Sequence, residues 1–198
     1  MAVGTVGAAS TLARVLPLLI ILGLLVLVGI YLVVQYNGLV SLRNRIENAW
    51  AQIDVQLKRR YDLIPNLVET VKAYAAHESG TLEAVIQARN MAMTAQGPHD
   101  QAEAENMITG ALKSVFALSE AYPDLKANQN FSQLQEELSG TEGRIAYARQ
   151  FYNDTVYKYN TKIQSFPAVI IAKRMGFAER EYFEADDDSR GPVTVDFS

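Results

Sequence analysis

Cysteine is absent from this chain of 198 residues, which excludes disulfide frameworks, thiolate zinc sites and cysteine nucleophiles. Histidine is almost absent: His77 and His99 are the only two, little material for a metal site. His77-Glu78 begins like a zinc-protease helix motif, but Thr81 stands where the second histidine is required, so His77 reads as a solvated side chain. No glycine-rich phosphate loop and no Gly-x-Ser-x-Gly elbow occur. Glu136, Glu137 and Glu142 could suggest paired carboxylates, yet the Glu-x-x-His pairs of a di-iron bundle are missing, and surface acids on an amphipathic helix explain them better. The residues therefore nominate no catalytic group, no metal ligand and no cofactor.

A basic excess is lacking as well. The net charge is −4, and residues 179–198 hold seven acids against Arg180 and Arg190. The first 178 residues are left close to neutral, which gives no footprint for nucleic acid. The acidity belongs to a tail.

What the chain does have begins with residues 15–34, VLPLLIILGLLVLVGIYLVV, which carry no charge. Twenty residues of helix cross a hydrocarbon layer of roughly 30 Å. Pro17 falls near the start of the run, and Tyr31 and Tyr36 near its far end, where aromatic rings favour the headgroup level. The run exceeds the apolar region of a signal peptide and no small-x-small cleavage site follows it, so it reads as a transmembrane anchor. Arg14 precedes the run; Arg43 and Arg45 follow it. That bias predicts N-out, C-in, with the body in the cytoplasm.

Beyond residue 36 the pattern is helical throughout. Apolar or aromatic residues recur at Ile46, Trp50, Ile53, Leu57, Tyr61, Ile64, Val68, Val71 and Ala75, and again at Phe131, Leu134, Leu138, Thr141, Ile145, Ala148, Tyr152, Thr155, Tyr159 and Ile163. Gaps of three and four mark one face of a helix in each case. Shorter helices are expected over 82–96 and 101–121, with Asp100 and Asp124 as N-caps and Phe166-Pro167 as the final stop. No stretch between residues 36 and 166 alternates with period two for long. The expected fold is all-α: an N-terminal transmembrane helix followed by an elongated antiparallel bundle of long helices. The divisions are 1–14 as a short N-terminal segment, 15–34 as the transmembrane helix, 36–166 as the bundle, and 167–198 as an amphipathic segment with an acidic tail expected to be flexible. The segment 168–177, AVIIAKRMGF, is expected to cap the bundle or to lie on the membrane surface.

Two local features stand out. Pro65 interrupts the first stripe without shifting its phase, which favours a kinked continuation over a new helix capped by Asp62. Lys58, Arg59 and Arg60 form the densest cation run, but adjacent positions fan around a helix and make no compact patch. The leading reading is solvated cations whose stems cover apolar surface. The alternatives are ion pairs inside the bundle, with Asp62 or the glutamates of the last helix, or a partner surface. In the second stripe Tyr147, Tyr152, Asn153, Tyr157, Tyr159 and Asn160 are expected to fix register through hydrogen bonds.

Residues 36–78, YNGLVSLRNRIENAWAQIDVQLKRRYDLIPNLVETVKAYAAHE, and 121–167, AYPDLKANQNFSQLQEELSGTEGRIAYARQFYNDTVYKYNTKIQSFP, together with the GFAEREYFE ending, resemble the LemA family of bacterial membrane proteins. The resemblance covers nearly the whole chain; Ser79-Gly80 and the loop 97–100 depart from it. It implies a single-pass protein of the bacterial inner membrane with a helical-bundle body and no assigned enzymatic activity. Some members are linked to membrane-protein quality control near membrane metalloproteases such as HtpX, and a magnetosome-associated branch points to membrane shaping. Arg59, Arg60, Tyr61, Asp62 and Asn66 match the family's signature and are the candidate polar cluster, facing either the bundle interior or a partner. The function expected on these grounds is a non-enzymatic membrane-anchored scaffold or adaptor. The alternatives are an oligomeric membrane-shaping protein and a hydrolase with an unrecognised site. Rods tethered in one plane meet at high effective concentration, so homo-oligomers are expected.

Overall fold

The computed structural model describes residues 4–184, with side chains from Leu16 onward. Residues 1–3 and the acidic run after Glu184 lie outside the described residues, and with them most of the tail expected to be flexible. The fold is all-α, and no strand occurs among the described residues. Among the described residues six helices follow in order: α1 (Gly4–Lys72), α2 (Ser79–Thr94), α3 (Gly97–Ala121), α4 (Pro123–Lys126), α5 (Gln129–Gln164) and α6 (Ala168–Met175).

The chain divides into two compact units. One comprises the chain up to Asn44 with Tyr159–Glu179; the other comprises Arg45–Lys158 with the segment from Arg180. In the first unit, every residue of α1 from Leu16 to Val34 is exposed, and this helix is long and apolar enough to cross a membrane. Leu39, Tyr159, Ile163, Ala168, Ile171 and Ala172 are its buried apolar and aromatic residues, with Asn160 buried beside them in sequence.

The second unit is a helical bundle. Its core joins Ile64, Leu67 and Val71 of α1, Leu82 and Val85 of α2, Ile108 and Val115 of α3, Leu125 of α4, and Phe131 and Leu138 of α5. Both sequence stripes point inward: each member is buried or half-buried. The pairings give the directions of the helices. Trp50 meets Tyr152, Arg59 meets Glu137 and Tyr74 meets Asn128, so α5 runs antiparallel to α1. Tyr61 meets Gln101 while Glu78 meets Tyr122, so α3 runs with α1.

Helix α1 passes through Pro65 without a break. The missing N–H leaves the carbonyl of Tyr61, four residues back, without its helical donor. Arg89 of α2 supplies one: its Nε donates to Tyr61 O at 2.8 Å. The helix ends at Lys72, although Ala75 still reaches the core at 1% exposure. Neither expected aspartate is an N-cap. Helix α3 starts at Gly97, where φ is +84°, with Pro98 in its first turn and Asp100 already helical. Asp124 lies in the first turn of the short α4, and the chain is capped again at Asn128, whose Oδ1 accepts from the Phe131 N–H at 2.9 Å before α5.

Residues 179–184 are the described part of the tail expected to be flexible, and some of them are packed. Phe183 is buried at 1% exposure, stacked beside Trp50 and under the Arg149 guanidinium. The Asn153 side chain holds the Phe183 backbone at both its N–H and its carbonyl, and Tyr152 donates to Glu181 O. In the first unit Tyr159 does the same for Ala178 O. Tyr147 and Tyr157, expected to fix register, are exposed instead.

The pairing at Pro65 is testable. Arg89→Ala should cost about 1.5–3 kcal/mol in the wild-type chain, the value of a charge-assisted hydrogen bond. In a Pro65→Ala background the restored Ala N–H satisfies Tyr61 O, so the same change should cost markedly less. Urea unfolding of the detergent-solubilised chain, followed by its single tryptophan, measures both; equal costs would refute the pairing.

Candidate functional site

Arg60 lies three residues after Leu57 and four before Ile64, which places it on the buried face of α1 rather than its flank. It is 1% exposed and the largest of the fully buried side chains among the described residues. The solvated reading of the cation run therefore fails at this residue. A guanidinium cannot lose its charge in a core, so acceptors must come to it.

They come from two other helices. Nη1 donates to Glu105 Oε2 of α3 at 2.9 Å, and Nη2 to Thr109 Oγ1 at 2.8 Å and Glu142 Oε2 of α5 at 2.7 Å. The Thr109 hydroxyl passes the contact on to Glu142 Oε1 at 3.1 Å. Tyr61 lies next along α1, and its hydroxyl donates to Glu105 Oε1. The Gln101 amide donates to Glu105 Oε1, to the Tyr61 hydroxyl and to Ala92 O of α2. One network thus touches α1, α2, α3 and α5. The Arg60 Nε is the one guanidinium nitrogen left without a partner.

Burial pushes the Glu105 carboxyl above its ordinary range, against the opposing pull of Tyr61, Arg60 and Gln101. Burial first, then the hydrogen bond to Glu105, drives the Tyr61 hydroxyl upward as well, so Tyr61 remains a donor at any ordinary pH. Burial lowers Arg149, with Glu105 and Glu142 pulling the other way. Two cations and two carboxylates therefore share this part of the bundle.

Of the five signature residues, only Arg60 and Tyr61 enter the network. Arg59 pairs with Glu137 at the surface, with both side chains about half exposed, an arrangement worth about 0–1 kcal/mol. Asp62 and Asn66 are exposed, and Asp62 does not pair with Arg60. Glu105, Gln101 and Thr109 escaped the sequence reading. Gln101 and Glu105 stand one turn apart and lead into the apolar positions Ile108, Leu112 and Val115, so two polar residues in phase with a stripe were the available signal.

A groove of about 540 Å³ opens beside Arg60, lined also by Thr109, Leu112, Phe116, Leu138 and Glu142. Among the described residues no three His, Asp or Glu side chains converge to hold a metal. Apart from Arg60 Nε, the polar groups at the centre bond to one another and tie these helices in register.

The sequence profile of the LemA family matches residues 49–197. The chain belongs to the LemA family. Protein LemA of Metamycoplasma hominis is 30% identical over 166 residues, covering 82% of this chain and 74% of that protein. The magnetosome proteins MamQ 2 of Paramagnetospirillum magneticum and MamQ of Magnetospirillum gryphiswaldense are each 24% identical over 188 residues, covering 82% of this chain and 69% of theirs. The LemA match starts beyond the apolar run and contains the whole Arg60 network. Neither the family's description nor these names denotes an enzyme.

The network sets a pH dependence. A folded-state carboxyl raised above the ordinary value of 4.5 contributes stability below that value, and the contribution is lost as pH rises through the folded value. Glu105→Gln cannot ionise. The stability of the wild-type chain relative to Glu105→Gln should therefore fall as pH is raised from about 4.5 toward neutrality, read from urea midpoints at each pH. A difference that stays constant or grows with pH would contradict this electrostatic account.

Proposed function

We propose that the chain is a non-enzymatic scaffold or adaptor, held in the bacterial inner membrane by α1 with its bundle in the cytoplasm. The observation that carries this reading is that a single unbroken helix serves two solvents. From Leu16 to Val34 all its residues are exposed and uncharged, and apart from Tyr31 all are apolar or glycine; from Ile46 to Val71 the same helix supplies a wall of the bundle core. Exposed leucine and isoleucine at every turn have no stable place in water, whereas a bilayer accepts them.

Among the described residues, the buried charges of the bundle are engaged with one another. Arg60, Glu105, Tyr61 and Glu142 bond to each other, which suits a body whose task is to keep a shape. Its partners on this reading are other membrane proteins, including further copies of itself and, as the family resemblance implies, a membrane metalloprotease such as HtpX. The relatives named as magnetosome proteins fit a role at membranes.

Proximity labelling from the C terminus tests location and partners together. A labelling enzyme fused there should mark cytoplasmic and inner-membrane proteins, and should enrich particular membrane proteins over a control carrying residues 1–44 alone. Marking of extracytoplasmic proteins would overturn the orientation; a profile identical to the anchor-only control would overturn the adaptor role.

A further inference from the structure

The first unit has its own amphipathic element at the foot of the apolar run. Helix α6 buries Ala168, Ile171 and Ala172, half-buries Val169, and exposes Ile170, Lys173, Arg174 and Met175. Ile170 is 60% exposed, and Lys173 and Arg174, three and four residues on, share its outward face. Met175 is 59% exposed at one end of the helix, and Phe166, just before it, is 82% exposed. A phenylalanine, an isoleucine and a methionine presented to solvent within ten residues are unusual for an element that is already packed.

The position of α6 along α1 is fixed by Gly176. Its φ of +72° ends α6 in a left-handed cap, with the Phe177 N–H bonded to Ala172 O at 3.0 Å. That turn sends the Phe177 ring back against Tyr36, centroid to centroid at 5.8 Å, and beneath the Arg43 guanidinium, also at 5.8 Å. Tyr36 and Arg43 follow the last apolar residue, Val34, by about 3 and 14 Å of helix rise. A hydrocarbon core of about 30 Å inside a bilayer of about 40–45 Å leaves about 5–7 Å of headgroup layer on each side, which takes in Tyr36 and ends short of Arg43.

Charge completes the pattern. The charged side chains described in this unit are Arg43, Lys162, Lys173 and Arg174 against one acid, Glu179. This cationic set stands in a chain whose net charge is −4. Apolar side chains flanked by long cations suit an interface, where the former enter the acyl boundary and the latter reach phosphates.

We propose that α6, with Phe166, forms a second membrane contact: an interfacial helix that lies on the anionic bilayer surface where α1 enters it. The inference rests on the reading of α1 as a membrane anchor. Phe166, Ile170 and Met175 insert at the acyl boundary, and Lys173 and Arg174 engage anionic headgroups. The surface belongs to the same unit as the apolar run of α1, and Phe177 ties its end to Tyr36 just past that run, which is why a bilayer rather than a soluble protein covers it.

The absence of native cysteine makes the test clean. Single cysteines at Leu22, Tyr157 or Ile170 of the full chain are nitroxide-labelled, reconstituted in phosphatidylcholine–phosphatidylglycerol vesicles, and compared for collision with oxygen and with a water-soluble nickel chelate. The label at 170 should be shielded from nickel and open to oxygen, as at 22, while the label at 157 stays open to nickel. Lys173→Glu with Arg174→Glu, or vesicles of phosphatidylcholine alone, should shift the label at 170 toward nickel. A label at 170 as open to nickel as that at 157, with 22 still shielded, overturns the interfacial helix and leaves the anchor standing. Nickel access at 22 would overturn both. A shielded label at 170 that ignores lipid charge and the double substitution overturns the role given to the two cations.

Discussion

A guanidinium that cannot lose its charge sits in the core of this bundle, and the packing around it follows from that constraint. Burying Arg60 carries a desolvation cost of several kcal/mol, which only acceptors at the right depth on α3 and α5 can offset. Glu105, Thr109 and Glu142 meet that requirement. A register slip of one residue on any of these helices would turn them away, since neighbouring helix positions differ in direction by about 100°. Tyr61 and Gln101 extend the constraint to Ala92 of α2. The backbone next to it is secured in the same manner, with Arg89 serving the carbonyl that Pro65 leaves open. Apolar burial supplies most of the driving force, but it is non-directional; the charges select one arrangement of four amphipathic helices.

The helical stripes were legible because periodicity is a local property of the chain: Ile53, Leu57, Ile64 and Val68 announce their shared face without knowledge of a partner. Arg60 was legible by position and misread by type. It stands three residues after Leu57 and four before Ile64, yet the leading reading put it in solvent; the alternative of ion pairs with glutamates of the last helix is met by Glu142. What could make its burial tolerable lay 45 residues away in Glu105, and pairings at that range leave no spacing signature. The caps failed for a related reason. Asp100 and Asp124 have the right chemistry, yet Pro98 and Pro123 can each occupy a first helical turn and so start the helices earlier. Asn128, a residue with no proline beside it, holds the true start of α5. Phe183 was hidden by its neighbours, since an aromatic within an acidic segment reads as tail until Trp50, Asn153 and Arg149 are seen around it.

The two units answer to different solvents. One exposes an unbroken apolar run and gathers cations beside it; the other hides its apolar stripes and spends its charges internally. In the second unit the polar network around Arg60 holds α1, α2, α3 and α5 in one register.

The neighbouring arginines Arg59 and Arg60 give the most direct measurement of the central claim. Each is replaced by methionine in the full detergent-solubilised chain, and urea unfolding is followed through Trp50. Arg60→Met should cost about 3–5 kcal/mol, the range for breaking a buried pair. Arg59→Met, one residue away on the surface, should cost about 1 kcal/mol or less. Equal costs for the two would show that the buried guanidinium does not organise the bundle.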